Sequence, residues 1–251
     1  MGHSGRGRQY QKMNLSREAG WSHTADVRTY GQYCPIARTS ELFAERWTPI
    51  IIRNLLTGCR TFGELLDGAP GISKALLTQR LALFEDEGIV AKRSLPSGRG
   101  YNYELTEKGR ELKTVTDAMG AWGARWLELQ PHHIDPAYVL WATCKLVDVH
   151  KVPKKGLVAR IDLKDRPRER LWMLLRRPYA EICSTYPGRP EDLIVRTDSA
   201  TLARWHLRHL TYEKAARAGL IKIEGPRSAA RVFVDCIQPS PFAGYALREG
   251  S

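Results

Sequence analysis

The chain has 251 residues, a formal net charge of +12, 43% hydrophobic and 26% charged residues, a composition that suits one large or two ordinary soluble domains. No apolar run approaches the roughly 20 residues needed to cross a bilayer, and the N-terminus lacks the apolar segment of a secretory signal, so a cytoplasmic protein with no membrane partner is expected. Five widely separated cysteines, Cys34, Cys59, Cys144, Cys183 and Cys236, with no C-x-x-C, argue against a disulfide framework and against a zinc ribbon.

A basic excess favours anionic partners, nucleic acid first. Residues 1–131, however, hold 18 Lys+Arg against 14 Asp+Glu, whereas residues 132–251 hold 21 against 13. Most of the excess lies in the second half. An argument for DNA must therefore rest on where particular basic residues sit.

Residues 1–30, rich in Gly, Ser, Arg and Gln, read as a mobile tail. From Pro35 the pattern turns helical, with Ile36, Leu42 and Phe43 on one apolar face leading to Trp47. Pro49 fits the first turn of a second helix carrying Ile50, Ile51, Leu55 and Leu56, and Gly58 is suited to its end. Thr61 is an N-cap type that opens a third helix with Phe62, Leu65 and Leu66, and Asp67-Gly68-Ala69-Pro70-Gly71 breaks it.

Ser73 then caps the clearest helix, ending at Gly88. On a 3.6-residue wheel Leu76, Leu77, Leu81 and Phe84 share one side, and Lys74, Ala75, Thr78, Gln79 and Ala82 share the other. That second face is free of carboxylates in its N-terminal half, and Glu85-Asp86-Glu87 lie at the far end. Such a face suits a groove lined by phosphates, and the helix N-terminus adds positive dipole there. Gln can pair with the edge of adenine, and Thr can touch a thymine methyl. Two extended runs follow, 89–95 and 101–105, around a basic glycine-rich tip, 96–100. Lys92, Arg93 and Arg99 sit on the flank and tip, where they can approach a sugar-phosphate backbone. A last helix runs from Thr106 through Leu112, Val115, Met119 and Trp122 toward Trp126, Leu127 and Leu129, ending at Pro131. It carries more apolar positions than one short domain needs to cover.

The pieces Tyr33-Cys34-Pro35, ERWTPIIIRNLLTG, TFGEL, PGISKALLTQRLALFEDEGIV and YNYELTEKGREL, in that order and spacing, resemble the HxlR-type winged helix-turn-helix family of bacterial transcription regulators over residues 33–129. The resemblance implies a homodimer built by the first and last helices of the module, the Ser73 helix in the major groove and the wing on the backbone. The expected DNA-binding residues are Thr61, Ser73, Lys74, Thr78, Gln79, Lys92, Arg93 and Arg99. Several members sense oxidants or electrophiles through a cysteine just before the module's first proline, the position of Cys34, while an incidental Cys34 is the plainer reading.

The second half alternates short strands and helices, which implies an α+β layer. Pro136 opens an apolar helix to Val147. Leu157–Leu163, Leu171–Leu175, Tyr179–Thr185 and Asp192–Thr197 read as strands. Asp198-Ser199 and Thr211 cap two helices, Ile221–Glu224 is a short strand, and Ala230 to Ile237 mark a final helix. The run DLIVRTDSATLARWHLRHLTYEKAARAGLIKIEGPRSAARVF resembles the sterol-carrier-protein-like fold. That implies a sheet with helices on one face and an apolar cavity, with Trp172, Leu174, Trp205 and Leu210 as candidate wall residues, against the alternative of a filled core. His206 and His209 stand at i, i+3, but nothing completes a metal site nearby. No catalytic motif is present, so no enzyme and no cofactor are expected.

The fold expectation is α+β in three parts: a tail at 1–30, a winged helix-turn-helix module at 31–131, and a sterol-carrier-like ligand-binding domain at 132–251. The functional expectation is a homodimeric, sequence-specific regulator, a repressor, partnered by double-stranded DNA and controlled by a small apolar or anionic effector or by a thiol. The alternative is a small-molecule or lipid carrier, or an enzyme, using the C-terminal cavity, with the winged helix as an interaction module.

Overall fold

The computed structural model describes residues 29–95 and 100–245. The tail expected at residues 1–30 therefore lies almost wholly outside the described residues, and so does Arg99. The chain divides into two compact units between Glu45 and Arg46.

In the first unit, α1 (Pro35–Phe43) starts behind Cys34 with its proline at the first position. Glu41 gathers the preceding segment: Oε1 accepts from Thr29 Oγ1 at 2.9 Å and from Tyr30 N at 2.7 Å, and Arg38 donates to Oε2 at 2.6 Å. The Tyr30 N–H, with Thr29 and Arg38, holds the Glu41 carboxyl below its ordinary range. Phe43 is buried, and Ile36, seven residues earlier on the same face of the helix, is 77% exposed.

The second unit begins with α2 (Thr48–Leu56), α3 (Phe62–Asp67), α4 (Lys74–Asp86), the hairpin β1 (Val90–Ser94) and β2 (Tyr101–Leu105), and α5 (Glu107–Trp126). Capping fixes the joints. Thr61 and Glu64 form a capping box at α3, Ser73 Oγ accepts from Leu76 N at 3.2 Å, and Thr106 Oγ1 accepts from Gly109 N at 3.1 Å. Ile51, Ile52, Leu55, Leu65, Leu77, Leu81, Phe84 and Ile89 close the core of this part. Gly109 is obligatory in size, because a Cβ there would stand 2.2 Å from Ile89 O. Helix α5 ends at Trp126, short of the expected Pro131, and Leu127 is already extended.

After a short turn, α6 (Pro136–Cys144) leads into β3 (Leu157–Leu163), β4 (Arg170–Leu175), β5 (Ala180–Cys183), β6 (Leu193–Thr197), α7 (Ser199–His206), α8 (Tyr212–Arg217), β7 (Lys222–Glu224) and α9 (Arg227–Cys236). The strands make one sheet in the order β5-β4-β3-β6-β7, with β3 and β6 parallel and the other pairs antiparallel. Alternation sets the two faces. Leu157, Ala159, Ile161 and Leu163 of β3 join Leu171, Met173 and Leu175 of β4 beneath Leu140, Leu202, Trp205 and Phe233 from the helices. The opposite face carries charge: Arg160 pairs with Asp162 and Glu191, and Arg196 bridges Asp162 at 3.1 Å and Glu224 at 3.2 Å. Helices thus cover one face of the sheet. No described helix is long and apolar enough to cross a membrane.

Helix α6, at 9 residues too short to cross a bilayer, is apolar on every side, which marks a helix buried between two layers. Leu140, Thr143 and Cys144 are buried, with Leu140 and Cys144 packed into the sheet's core. Its other side, Tyr138, Trp141 and Lys145, meets α2 and α3, as described below.

Candidate nucleic-acid interface

The sequence between α3 and α4 makes a tight turn that only glycine suits at one point: Gly71 has φ +92°. Helix α4 then presents its two faces as its periodicity requires. Leu77, Leu81 and Phe84 are buried, while Lys74, Ala75, Thr78, Gln79 and Ala82 are all exposed. Arg80, which the helical wheel left unassigned, is buried on the inner side. No acidic residue occupies the first turn. The Thr78 hydroxyl donates to Lys74 O at 2.9 Å, which uses its proton.

The wing is a regular antiparallel pair from Val90↔Leu105 to Ser94↔Tyr101, and Leu95 N donates to Gly100 O at 3.1 Å across the start of the tip. Lys92 Nζ lies 4.2 Å from the centre of the Tyr101 ring. Arg93 Nε pairs with Glu104 at 3.2 Å, both well exposed. Both cations flank the tip, whose own Arg99 is outside the described residues. The Thr61 hydroxyl is engaged in the capping box, and Thr61 bridges Asn102 of β2. It fastens α3 to the wing. The Ser73 side chain likewise caps α4, and it stays exposed.

The four candidate wall residues are not brought together. Trp205 faces the helix-covered side of the sheet and Leu210 packs there too. Trp172 and Leu174 stand opposite Arg160 and Val158 in the register and so face the other side, where Trp172 meets the Tyr186 ring edge-on at 6.3 Å. Between sheet and helices the remaining void, among Leu140, Ile161, Met173, Trp205 and Phe233, measures about 10 Å³. The expected apolar cavity is a filled core. Among the described residues no group of three or more His, Cys, Asp or Glu could hold a metal ion.

Sequence reading missed how α6 clasps the helix-turn-helix. A Cβ on Gly68, at the end of α3, would lie 2.5 Å from the Trp141 ring and from Asn54 Nδ2. Lys145 Nζ stands 3.6 Å from Glu64 Oε1 and 5.6 Å from the centre of the Trp141 ring. Burial opposes the charge of Glu64, but the Arg60 and Thr61 N–H groups and Lys145 outweigh it and hold the carboxyl below its ordinary range. Arg53 donates to Asn54 Oδ1 and to Gly68 O at 3.0 Å and lies over the Tyr138 ring at 5.4 Å. The available signal was the all-round apolar composition of α6.

The described cysteines differ in setting. Cys59, Cys144 and Cys236 are buried, and Cys34 and Cys183 are half-buried. Burial pushes the Cys144 thiol up to about 12 and that of Cys236 up to about 11. Burial also raises Cys59 and Cys183.

Residues 42–131 match the family described as HxlR-like helix-turn-helix. The chain is 38% identical over 99 residues to sll1512 of Synechocystis sp., named an uncharacterised HTH-type transcriptional regulator; the match spans 39% of this chain and 73% of that protein. It is 35% identical over 97 residues to the HTH-type transcriptional regulator YodB of Bacillus subtilis, spanning 38% of this chain and 87% of YodB. Among solved structures, the redox regulator HypR in its reduced form is 28% identical, covering 36% of this chain and 90% of that one, with a TM-score of 0.34. Through this N-terminal module, the chain belongs to the HxlR-like helix-turn-helix family of transcriptional regulators.

Proposed function

We propose that the protein is a homodimeric, sequence-specific transcriptional repressor that reads DNA with α4 and braces the wing on the phosphate backbone. The observation that carries this reading is the outward face of α4. Lys74, Thr78 and Gln79 are exposed on it, no carboxylate lies in its first turn, and the exposed cations Lys92 and Arg93 stand on the adjoining hairpin. In this reading the DNA-reading part is residues 31–131 and the effector part residues 132–251, in a cytoplasmic protein.

The dimer is supported by α5, which exposes Val115, Met119 and Trp122. Their i, i+4, i+7 spacing makes one apolar stripe, the pattern of a helix that packs on a second copy. A two-fold pair of α4 helices about 34–36 Å apart would match half-sites one turn apart. The sterol-carrier-like assignment of residues 132–251 is supported by the five-stranded sheet with helices on one face. The filled interior moves any ligand away from its centre.

Two effector classes enter the reading: a small apolar ligand and thiol chemistry at Cys34. The latter is favoured by the position of Cys34 at the N-cap of α1 with Arg38 one turn on, and by the relative HypR being called a redox regulator. Cys34 itself precedes the matched span, 42–131.

A gel-shift titration against the DNA upstream of the protein's own coding sequence, repeated across a salt series, tests the reading. Specific complexes whose affinity falls steeply with salt are expected, and equal affinity for a scrambled duplex would sink it. For the thiol, Cys34→Ser is expected to abolish any loss of binding caused by diamide, and an unchanged diamide response would remove Cys34 from the account.

A further inference from the structure

A cleft of about 480 Å³ lies between the winged module and the C-terminal helices, walled by α2 and α5 on one side and by α6, α7 and residues 240–242 on the other. Its size is that of a site for a small organic molecule, roughly 300–1,000 Å³. The void under the sheet, at about 10 Å³, holds at most one water.

The chemistry of the cleft narrows its occupant. Tyr138 and Trp141, on adjacent turns of α6, are stacked with centroids 5.7 Å apart and planes 23° apart, so that wall is aromatic. Its cations are already engaged. Lys113 pairs with Asp117 and Lys145 with Glu64, and the Arg53 guanidinium donates to Asn54 Oδ1 and Gly68 O and lies over the Tyr138 ring. An anionic ligand would have to compete with one of these contacts.

His206 supplies the polar feature. Thr143 Oγ1 donates its single proton to Val139 O at 2.7 Å. Its 3.0 Å contact with His206 Nδ1 therefore requires the ring to donate from Nδ1. Burial lowers the imidazole to about 4, so the ring is neutral, and Nε2 is left as a lone-pair acceptor on a residue that lines the cleft.

We propose that this cleft is the effector site, and that it takes an uncharged aromatic molecule presenting one hydroxyl or N–H donor to Nε2 of His206. The proposal rests on the regulator reading above and names the ligand class and place for it. The route to DNA is short. The Trp141 ring that walls the cleft abuts Gly68 in the turn before α4, and Lys145 reaches Glu64 at the head of α3. The opposite wall, α5, carries the exposed apolar stripe. A ligand that fits one spacing of α5 and α6 better than another shifts the position of α4 by that difference in affinity.

The test is calorimetric titration of the full chain, without DNA, with 2-naphthol and with 2-methoxynaphthalene, which keeps the ring and lacks the donor. One 2-naphthol per chain is expected, bound about five-fold more tightly than the ether, the worth of one hydrogen bond. His206→Phe should erase that preference. Ala142→Phe, placed in the cleft, should abolish binding of both, and Leu56→Phe, from the opposite wall, serves as the second filling variant should the first lose its folded circular dichroism. No 2-naphthol binding at its solubility limit, binding that survives cleft filling, or a preference unchanged in His206→Phe would overturn the proposal. Binding that appears only after removal of residues 246–251 would assign the cleft to the chain's own end, and would overturn it too. Specific DNA binding by the ligand-free protein, measured in parallel, separates failure of the cleft from failure of the regulator reading.

Discussion

Trp141 and Gly68 are in edge-on contact. A single methyl at Gly68 would come within 2.5 Å of the benzo edge of the Trp141 ring. This contact joins α6, which belongs to the C-terminal layer, to the turn that leads into α4. It makes the second half of the chain a structural partner of the first. Gly68 has φ −79°, so its lack of a side chain serves space and not backbone conformation.

Gly68→Ala is accordingly expected to destabilise the protein by about 1–3 kcal/mol, the usual cost of overpacking. Trp141→Ala should remove part of that cost, leaving the share due to Asn54, whose Nδ2 lies 2.5 Å from the same position. A double-mutant cycle in urea measures the coupling. Additive effects of the two substitutions would contradict the contact.

His206 makes stability depend on pH. Its folded value of about 4 lies below the ordinary 6.5, so between those values the unfolded chain binds the extra proton, and stability falls as pH falls. From pH 7 to pH 5 this amounts to about 2 kcal/mol. His206→Gln should lose that much less than the wild type over the same interval in urea unfolding. Parallel losses in the two proteins would contradict a buried neutral ring.

The apolar stripe on α5 predicts the oligomeric state. Trp122 is 58% exposed and Met119 48% exposed. Trp122→Asp should convert a dimer to a folded monomer in sedimentation equilibrium and weaken specific DNA binding with it. A wild-type protein that sediments as a monomer at micromolar concentration would remove the dimer from the account.

The wing should act without regard to sequence. Lys92→Ala is expected to weaken binding to specific and scrambled duplexes alike, and to reduce the salt slope by about 1. Arg93 is held by Glu104, so Glu104→Ala should free it and tighten binding to both duplexes. A Lys92→Ala effect confined to the specific duplex would contradict the division of labour between wing and α4.

Much of the first half was legible because its elements carry local punctuation. Thr61 with Glu64, Ser73 and Thr106 announce three helix starts, and the period of α4 separates Leu77, Leu81 and Phe84 from Lys74, Thr78 and Gln79. The sidedness of the sheet was not legible. Alternation gives parity along a strand, but β4 is apolar at both parities. Trp172 and Leu174 could not be told from Leu171 and Met173 until pairing with β3 put Arg160 on their side. The end of α5 was also hidden, since Leu127 and Leu129 continue an apolar pattern beyond the last helical residue, Trp126. The clasp on α3 depends on Gly68, which in sequence reads only as part of a helix breaker, and on α6, whose apolar surround says that it is sandwiched but not by what.

Whether α4 reads base sequence is decided by selecting bound duplexes from a randomised DNA library, with the full chain and with its Gln79→Ala variant. A two-fold symmetric motif with half-sites one helical turn apart is expected, with loss of preference at one base pair per half-site in the variant. No enriched motif, or the same motif at full strength with Gln79 removed, would rule out base reading by α4.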